Sequence, residues 1–138
     1  MQLEIVTPEK IIYKGDIDQL TVMTATGEIT ILPHHINVFS KIEPGEALIK
    51  IGEKSQYLAI TGGFLEVSNN KISILANYAI HSDDINVEKA MEAQKRAEEL
   101  LKKKEEGISE QDFAEARAEL DKAILQLHIA NRRKRRNL

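Results

Sequence analysis

The sequence predicts a chain in two parts: an N-terminal antiparallel β-sandwich of about eight to ten short strands, followed by a C-terminal antiparallel two-helix hairpin. Up to about residue 82, apolar residues alternate with period 2 between turn signals that recur about every 8–12 residues, which is typical of β-sandwiches and barrels. After Asp84 the composition changes to Ala, Glu, Lys, Arg, Gln and Leu, which are good helix formers. We therefore place the sandwich domain at residues 1–84 and the helical hairpin at residues 85–138.

The strands are predicted from short alternations of apolar and polar side chains. Leu20 and Val22 alternate with Gln19 and Thr21, so one face of this strand is expected to be buried and the other exposed. The run Tyr57–Ile60 is almost wholly apolar and predicts a strand that is buried on both faces. Further apolar positions of the predicted strands are Leu3, Ile5, Ile29, Ile31, Leu48, Ile51, Phe64, Ile72 and Ile74.

Two helices are predicted at about 87–105 and 110–133, because apolar residues recur there at spacings of three and four. The larger side chains of the expected buried stripe are Met91, Leu101, Leu120, Ile124 and Leu127. This stripe is thin, whereas ordering the backbone costs about 1–2 kcal/mol per residue. We therefore expect the hairpin to depend on the sandwich or on a partner, and to act as a conformational switch.

The ends of the helices carry recognisable signals. Asp83 or Asp84 is expected to cap the first helix at its N-terminus. Gly107 is expected to follow its end in the left-handed conformation. Ser109, with Asp112 three residues later, is expected to form a capping box at the start of the second helix.

The composition excludes several classes of protein. The chain has no cysteine, so it has neither a disulfide framework nor a thiolate nucleophile nor a cysteine-based zinc site. No apolar run approaches the ~18 residues needed to span a bilayer. The start of the chain lacks a basic segment followed by an apolar one, so we expect no secretory signal. Attachment to a membrane through a partner remains open.

The last residues form a basic tail of five consecutive cations, Arg132, Arg133, Lys134, Arg135 and Arg136. The net charge of the chain is −3, so the rest of it carries −8. Such a block is typical of an interaction tail. Three interpretations stay open: a solvated, frayed end, a segment that docks on an acidic protein surface, and a nucleic-acid-binding adaptor. RNA binding that depends on salt and is lost on removal of residues 132–138 would favour the adaptor.

Two segments rich in turn residues, Gly27–His35 and Thr61–Val67, stand out from the rest. Neither contains a nucleophile or a phosphate-binding loop, because Gly62 and Gly63 lack the Lys-Ser/Thr that such a loop requires. The glycine pair is expected instead to let two strands approach closely. The adjacent His34 and His35 point in different directions in an extended segment and have no ligand at metal-binding spacing. We predict no catalytic residue and no metal site, and we interpret the chain as a part of a machine, not an enzyme.

The same segments carry a resemblance to a known family. Gly27-Glu28-Ile29-Thr30-Ile31-Leu32-Pro33-His34-His35 closely resembles the Gly-Glu-x-x-(Ile/Val)-Leu-Pro-x-His segment of the epsilon subunits of rotary F-type ATP synthases. Gly62–Val67 with Asn69–Ala76 is similar to the second signature of that family, and Val6-Thr7-Pro8 also matches. The resemblance covers about residues 2–130, in the order of sandwich first and hairpin second.

The resemblance implies a non-catalytic subunit of the central stalk, which couples the catalytic head to the membrane ion ring. In the family the sandwich holds the gamma subunit and sits on the ring of c subunits. By motif match, the residues that would face the c-ring are Glu28, Leu32, Pro33, His34 and His35. The implied location is peripheral, on the cytoplasmic face of the membrane, with membrane contact only through the complex.

The resemblance also assigns a regulatory role to the hairpin. In the family the hairpin lies folded against the sandwich or extends along gamma towards the alpha and beta subunits, and it inhibits ATP hydrolysis when it is extended. Its second helix then meets an acidic segment of the beta subunits. Arg132–Arg136 would suit that acidic surface electrostatically, as an inhibitory tail, although the run is more basic than the family pattern.

Some bacterial members of the family bind ATP through an Ile/Leu-Asp-x-x-Arg-Ala motif. In the matching segment of this chain, Asn86 replaces the Asp and Lys89 replaces the Arg. Lysine cannot reproduce the planar bidentate contact of arginine. Arg96 matches a further basic position, while other positions of the motif are changed. We therefore expect weak or absent nucleotide binding, and no cofactor.

Overall fold

The structure is a computed structural model that describes residues 1–103 and 107–137, and it divides into two units, Met1–Ser82 and Asp83–Leu138. The fold class predicted from the sequence is confirmed: strands fill the first unit and two helices the second. The strands are β1 Gln2–Val6, β2 Ile11–Asp16, β3 Gln19–Thr24, β4 Gly27–Ile31, β5 Val38–Ile42, β6 Gly45–Ile51, β7 Lys54–Ile60, β8 Gly63–Ser68, β9 Lys71–Ala76 and β10 Ala79–His81. A 3₁₀ turn, Ser82–Asp84, precedes helices α1 Val87–Lys102 and α2 Glu110–Arg136.

The strands follow one hydrogen-bonded path that folds into the two layers of a sandwich. The order is β10-β7-β6-β3-β5-β8-β9-β1-β2, with β4 paired to β3 alone. Between β3 and β5 the path narrows to the single pair Thr24 and Ile42, and we take this point as the boundary between the two layers. The sequence predicted antiparallel pairing, and this holds for every described pair except β1 with β9, which run parallel from the pair Gln2 and Lys71.

The core of the sandwich consists of aliphatic side chains that alternate along the strands. Leu20 and Val22 are buried as predicted, and Leu58, Ala59 and Ile60 are all buried, as expected for a strand covered on both faces. The other large, fully buried side chains are Leu3, Ile5, Ile17, Ile31, Ile42, Ile49, Leu65, Ile72 and Ile74. The interior therefore depends on branched aliphatic residues, as the scarcity of aromatic residues requires.

The seam of the helical hairpin consists largely of alanine. The buried residues of the two helices are Ala90, Ala97, Ala116, Leu120, Ala123, Ile129 and Ala130. The predicted stripe is therefore wrong at Met91 and Ile124, which are about half exposed. Each follows a buried alanine, and one residue turns the side chain by about 100° around an α-helix. Of the other predicted positions, Leu120 is buried, whereas Leu101 and Leu127 are half-buried.

The helix caps were predicted only in part. The N-cap of α1 is Asn86 rather than Asp83 or Asp84, because the aspartates lie in the 3₁₀ turn before it. The backbone N–H of Lys89 donates to Oδ1 of Asn86 at 3.0 Å. Ser109 caps α2 as predicted.

Around the turn between the helices, the hydroxyl oxygen of Ser109 accepts the N–H of Asp112 at 3.1 Å. Gly107 has the positive φ, 93°, that was predicted for it. The predicted end of the first helix near residue 105 falls on residues 104–106, which lie outside the described residues.

Candidate docking surfaces

The loop Leu32–His35 lies at one end of the sandwich, directly after β4. Ile31 is fully buried and fixes the end of the strand, and the N–H of His35 donates to the carbonyl oxygen of Leu32 at 3.2 Å to close the turn. Leu32 itself is 53% exposed, and Ile36 just beyond the loop is 79% exposed. Apolar side chains are thus held outward at a tight turn, as in a contact loop.

Two hydrogen bonds fasten this loop to the turn between β8 and β9. The N–H of His34, whose φ is 66°, donates to Oδ1 of Asn70 at 2.8 Å. The N–H of Asn69 donates in return to Oδ1 of Asn37 at 3.3 Å. Nδ1 of His35 lies 2.8 Å from the carbonyl oxygen of Ile36 and donates to it when that nitrogen carries the proton. The histidines of this loop therefore shape and pin it.

Glu28 lies apart from the loop with which the sequence grouped it. Its partner across the β3–β4 pair is Met23, near the hairpin turn, which ends at Gly27 with a φ of 116°. Leu32 follows the other end of the same strand, so about 13 Å of extended chain separates the two. Glu28 and Leu32–His35 can form a joint surface only along β4 itself, which pairs with β3 alone.

The second glycine-rich segment serves the packing of the strands, as predicted. A Cβ on Gly63, whose φ is 149°, would collide with the carbonyl oxygen of Leu75 and the Cα of Ala76. Gly62 also has a positive φ of 139°. This close approach starts the β8–β9 pair at Gly63 and Ala76.

The sequence reasoning missed an apolar surface on the layer β5-β8-β9-β1-β2. We call it the apolar row, and it consists of Ile11, Val6, Leu75, Phe64 and Phe39. The sequence analysis counted Phe64 among the apolar positions of the predicted strands, but this side chain is 49% exposed, because the inward residues of its strand are Leu65 and Val67. The signal that could have found the row is an apolar residue at an outward position on each of several adjacent strands.

Two aromatic side chains of the row contact each other. Phe39 and Phe64 stack with centroids 5.8 Å apart and an interplanar angle of 18°. On the neighbouring edge strand β2, burial and, secondarily, the carboxylate of Asp16 raise the pKa of the Tyr13 hydroxyl. Within the described ranges no group of three or more His, Asp or Glu residues could hold a metal ion.

The three residues that match nucleotide-binding positions have other surroundings. Asn86 and Lys89 are joined in the N-terminal cap of α1. Arg96 lines a groove of about 430 Å³ between α1 and α2, whose other polar side chains are Asp112, Glu115 and Glu119. The groove therefore contains three carboxylates and one guanidinium, and its net negative charge repels an anion such as a triphosphate.

The basic tail is helical through Arg136, three residues beyond the predicted end. All five cations are exposed except Arg133, which is half-buried. Cations at a helix C-terminus interact favourably with the helix dipole. Since each residue advances by about 100°, five in a row present positive charge on every side of the helix.

Both units match models of one protein family. Residues 1–82 match the β-sandwich domain of the ATP synthase delta/epsilon chain, and residues 83–131 match its long α-helix domain. The chain belongs to this family. It is 38% identical to the ATP synthase epsilon chain of Levilactobacillus brevis over 130 residues, which cover 94% of each chain. It is also 38% identical to the epsilon chain of Halalkalibacterium halodurans over 133 residues, which cover 96% of this chain and 98% of the other.

Solved structures support the fold of this epsilon-type chain. A chain of the Euglena gracilis mitochondrial ATP synthase aligns with a TM-score of 0.66 and 21% identity, over 86% of this chain and 74% of the other. A chain of the Tetrahymena thermophila mitochondrial ATP synthase, in a structure of its central stalk and c-ring, aligns with a TM-score of 0.58 and 16% identity, over 94% and 95%. No helix among the described residues is long and apolar enough to cross a membrane.

Proposed function

We propose that this chain is a non-catalytic subunit of the central stalk of an F-type ATP synthase, and that it couples the catalytic head to the membrane ion ring and restrains ATP hydrolysis. The observation that carries this proposal is the match of both units to the family, in the family's order, at residues 1–82 and 83–131. A chain with the same fold also occurs in a structure of the central stalk and c-ring of the Tetrahymena thermophila mitochondrial ATP synthase. The subunit would be peripheral, on the cytoplasmic side of the membrane that carries the complex.

The sandwich would belong to the rotor, where it holds the gamma subunit and rests on the c-ring. Leu32–His35 supports a c-ring contact because the loop is exposed and pinned by hydrogen bonds to the neighbouring turn. Glu28 lies about 13 Å away along the strand. We therefore propose that the free edge of β4 lies along the ring, which is the arrangement that lets both contacts face it.

The hairpin would act as the regulator, by a shift of population between a folded and an extended position. Its alanine seam supports this role, because parting two helices there exposes few large apolar groups. The basic tail supports contact with an acidic surface of the alpha and beta subunits, since it presents charge on every side of the helix. Nucleotide binding would be weak or absent, in keeping with the acidic groove beside Arg96.

Deletion of residues 87–138 tests the regulatory role in the assembled complex. We expect the truncated subunit to assemble and the rate of ATP hydrolysis to rise. Reversal of the tail charges in the full chain, with Arg132, Arg133, Lys134, Arg135 and Arg136 changed to Glu, should raise hydrolysis without removing the hairpin. Unchanged hydrolysis in both complexes, each with normal subunit content, would contradict the inhibitory role.

A titration of the isolated chain with ATP tests the expected lack of nucleotide binding. Isothermal calorimetry should give no heat of binding at sub-millimolar ATP, because the motif has lost its Asp and Arg at Asn86 and Lys89. Sub-millimolar affinity that disappears in Arg96→Ala would contradict this expectation and place a nucleotide in the hairpin.

A further inference from the structure

The loop Leu32–His35 is a four-residue β-turn. The N–H of His35 donates to the carbonyl oxygen of Leu32 at 3.2 Å, which closes the turn. Pro33 occupies the second position, where its ring fixes φ at about −65°. His34 occupies the third position with a φ of 66°. A positive φ there defines the type II turn, in which Gly or Asn is the usual third residue, so His34 is held in a conformation that an L side chain disfavours.

The same four residues also suit a type I turn. Proline is favoured at the second position of both types, and the third residue of type I has a negative φ that histidine adopts without strain. The two types differ by a rotation of roughly half a turn of the peptide unit between Pro33 and His34. The N–H of His34 belongs to this unit and donates to Oδ1 of Asn70 at 2.8 Å. The rotated unit would point the N–H away from Asn70, so this hydrogen bond selects type II.

Asn70 lies in a hairpin turn whose backbone is fixed on both sides. Ser68 of β8 is paired with Lys71 of β9, so the loop between the strands consists of Asn69 and Asn70. Their φ angles are 51° and 60°, as in a type I′ turn. The carbonyl oxygen of Asn70 also accepts the N–H of Gln2 at 3.3 Å. The side-chain oxygen that binds the loop is therefore carried by a well-anchored residue.

The residue type at position 70 fits the contact with the loop better than it fits the hairpin turn. The second central residue of a type I′ turn is most often glycine, as in the pair Asn-Gly. Glycine would adopt the φ of 60° without strain, but it has no side-chain oxygen. Asparagine tolerates this conformation and supplies Oδ1. The hydrogen bond to His34 thus explains an asparagine where the turn alone favours glycine.

A second hydrogen bond joins the same two segments without using a side chain of the hairpin turn. The backbone N–H of Asn69 donates to Oδ1 of Asn37, the last residue before β5, at 3.3 Å. Among the described residues, the non-glycine positions with positive φ are His34, Asn69 and Asn70, and all three lie at this contact. Such conformations persist where the surrounding structure determines them, and they cluster at functional sites.

We propose that Asn70 is a positioning residue for the contact with the c-ring, and that its side-chain oxygen holds the Leu32–His35 turn in the type II form that the ring binds. This inference rests on the proposed function, in which the loop rests on the c-ring. A partner that binds one of two turn forms has an apparent affinity proportional to the fraction of the loop in that form. Removal of Oδ1 lowers this fraction, so the coupling between ion transport and ATP hydrolysis weakens.

Asn70→Gly tests this assignment in the assembled complex, because it removes the acceptor and keeps a residue that suits the turn. In complexes reconstituted into lipid vesicles, the rate of ATP-driven ion uptake divided by the rate of hydrolysis should fall about twofold or more. Amide exchange of His34 in the full chain should become about fivefold faster, since a hydrogen bond of ordinary strength contributes roughly that factor. The melting temperature should stay equal or rise, because glycine is preferred at this place in the turn, whereas loss of a merely structural asparagine would lower it.

Three further variants isolate the side-chain oxygen. Asn70→Asp keeps Oδ1 and tolerates the left-handed conformation, so it should match the wild type in exchange and coupling. Asn69→Gly is the matched control, since Asn69 joins the contact through its backbone N–H, which glycine keeps. His34→Gly removes the strain at the third position, so adding Asn70→Gly to it should lower coupling by a smaller factor than Asn70→Gly does alone.

The outcomes separate this inference from the proposed function. Wild-type coupling in Asn70→Gly, or wild-type exchange at His34 in that variant, would overturn the inference while leaving the stalk role intact. Equal losses of coupling in Asn69→Gly and Asn70→Gly would assign the effect to the hairpin turn and overturn the inference as well. A complex assembled without this chain that couples transport to hydrolysis as well as the complete complex does would overturn the proposed function, and the inference with it.

Discussion

The sandwich and the hairpin are built from different apolar residues, and the contrast explains why one suits a platform and the other a switch. The sandwich buries large side chains such as Leu3, Leu65 and Ile74 almost completely, whereas most buried positions of the helices are alanine. Full burial of Leu or Ile contributes about 1.5–3 kcal/mol, and a single buried methyl group about 0.8 kcal/mol. The same chain therefore combines a firmly packed unit with a seam that is easily parted.

The largest effect that separates the two units is expected from a cavity in the sandwich. Leu65→Ala should lower the free energy of unfolding by about 2–5 kcal/mol, because the side chain is fully buried between the layers. Met91→Ala on α1 is the matched control and should change it by about 0.5 kcal/mol or less, since Met91 is 57% exposed. Urea denaturation measures both. A loss below about 1 kcal/mol in Leu65→Ala would contradict the description of the sandwich as the tightly packed unit.

The next largest loss of stability is expected at Gly63, where the backbones of β8 and β9 come close together. Gly63→Ala should destabilise the sandwich by about 1–3 kcal/mol, because it adds a collision with the backbone of Leu75 to an unfavourable φ. Gly27→Ala helps to separate the two causes, because Gly27 has a φ of 116° but open space around it. Thermal denaturation should rank Gly63→Ala as the more destabilising of the two. A loss in Gly63→Ala no larger than that in Gly27→Ala would contradict a contribution from the collision.

The smallest effect is expected from the helix caps, and it should stay within the hairpin. Ser109→Ala should cost about 1 kcal/mol of helix stability, because the N–H of Asp112 loses its acceptor. Ser109→Asp should retain the stability, since Asp is an equally good N-cap. Amide exchange in α2 should report the change, while exchange in the sandwich stays constant. Faster exchange in β8 and β9 would show that the two units unfold together.

Local patterns in the sequence predicted much of the fold, because they depend on neighbours along the chain. Leu20 and Val22 were assigned to the core from alternation alone, and Ser109 was assigned as a cap from one residue type and its spacing. The parallel pairing of β1 with β9 was not predicted. It joins Gln2 to Lys71, and no local periodicity encodes a contact so distant in sequence.

The surfaces were harder to predict than the core for a related reason. Phe64 is apolar and lies in a strand, so its residue type gave no indication that it faces outward. Asn86 was considered only as a nucleotide-binding position, whereas the structure uses it as the cap in place of Asp83 or Asp84. A row of exposed side chains exists only once strands are set side by side, as β5, β8, β9, β1 and β2 are here.

Native-state amide hydrogen exchange on the full chain tests the contrast between the two units most directly. Exchange in β8 and β9, around Leu65 and Ile74, should require an opening free energy close to that of global unfolding. Exchange in α1 around Ala90 and Ala97 should require several kcal/mol less, since the seam there is alanine. Equal opening free energies in the strands and the helices would contradict the account, because the hairpin would then not be free to move while the sandwich stays folded.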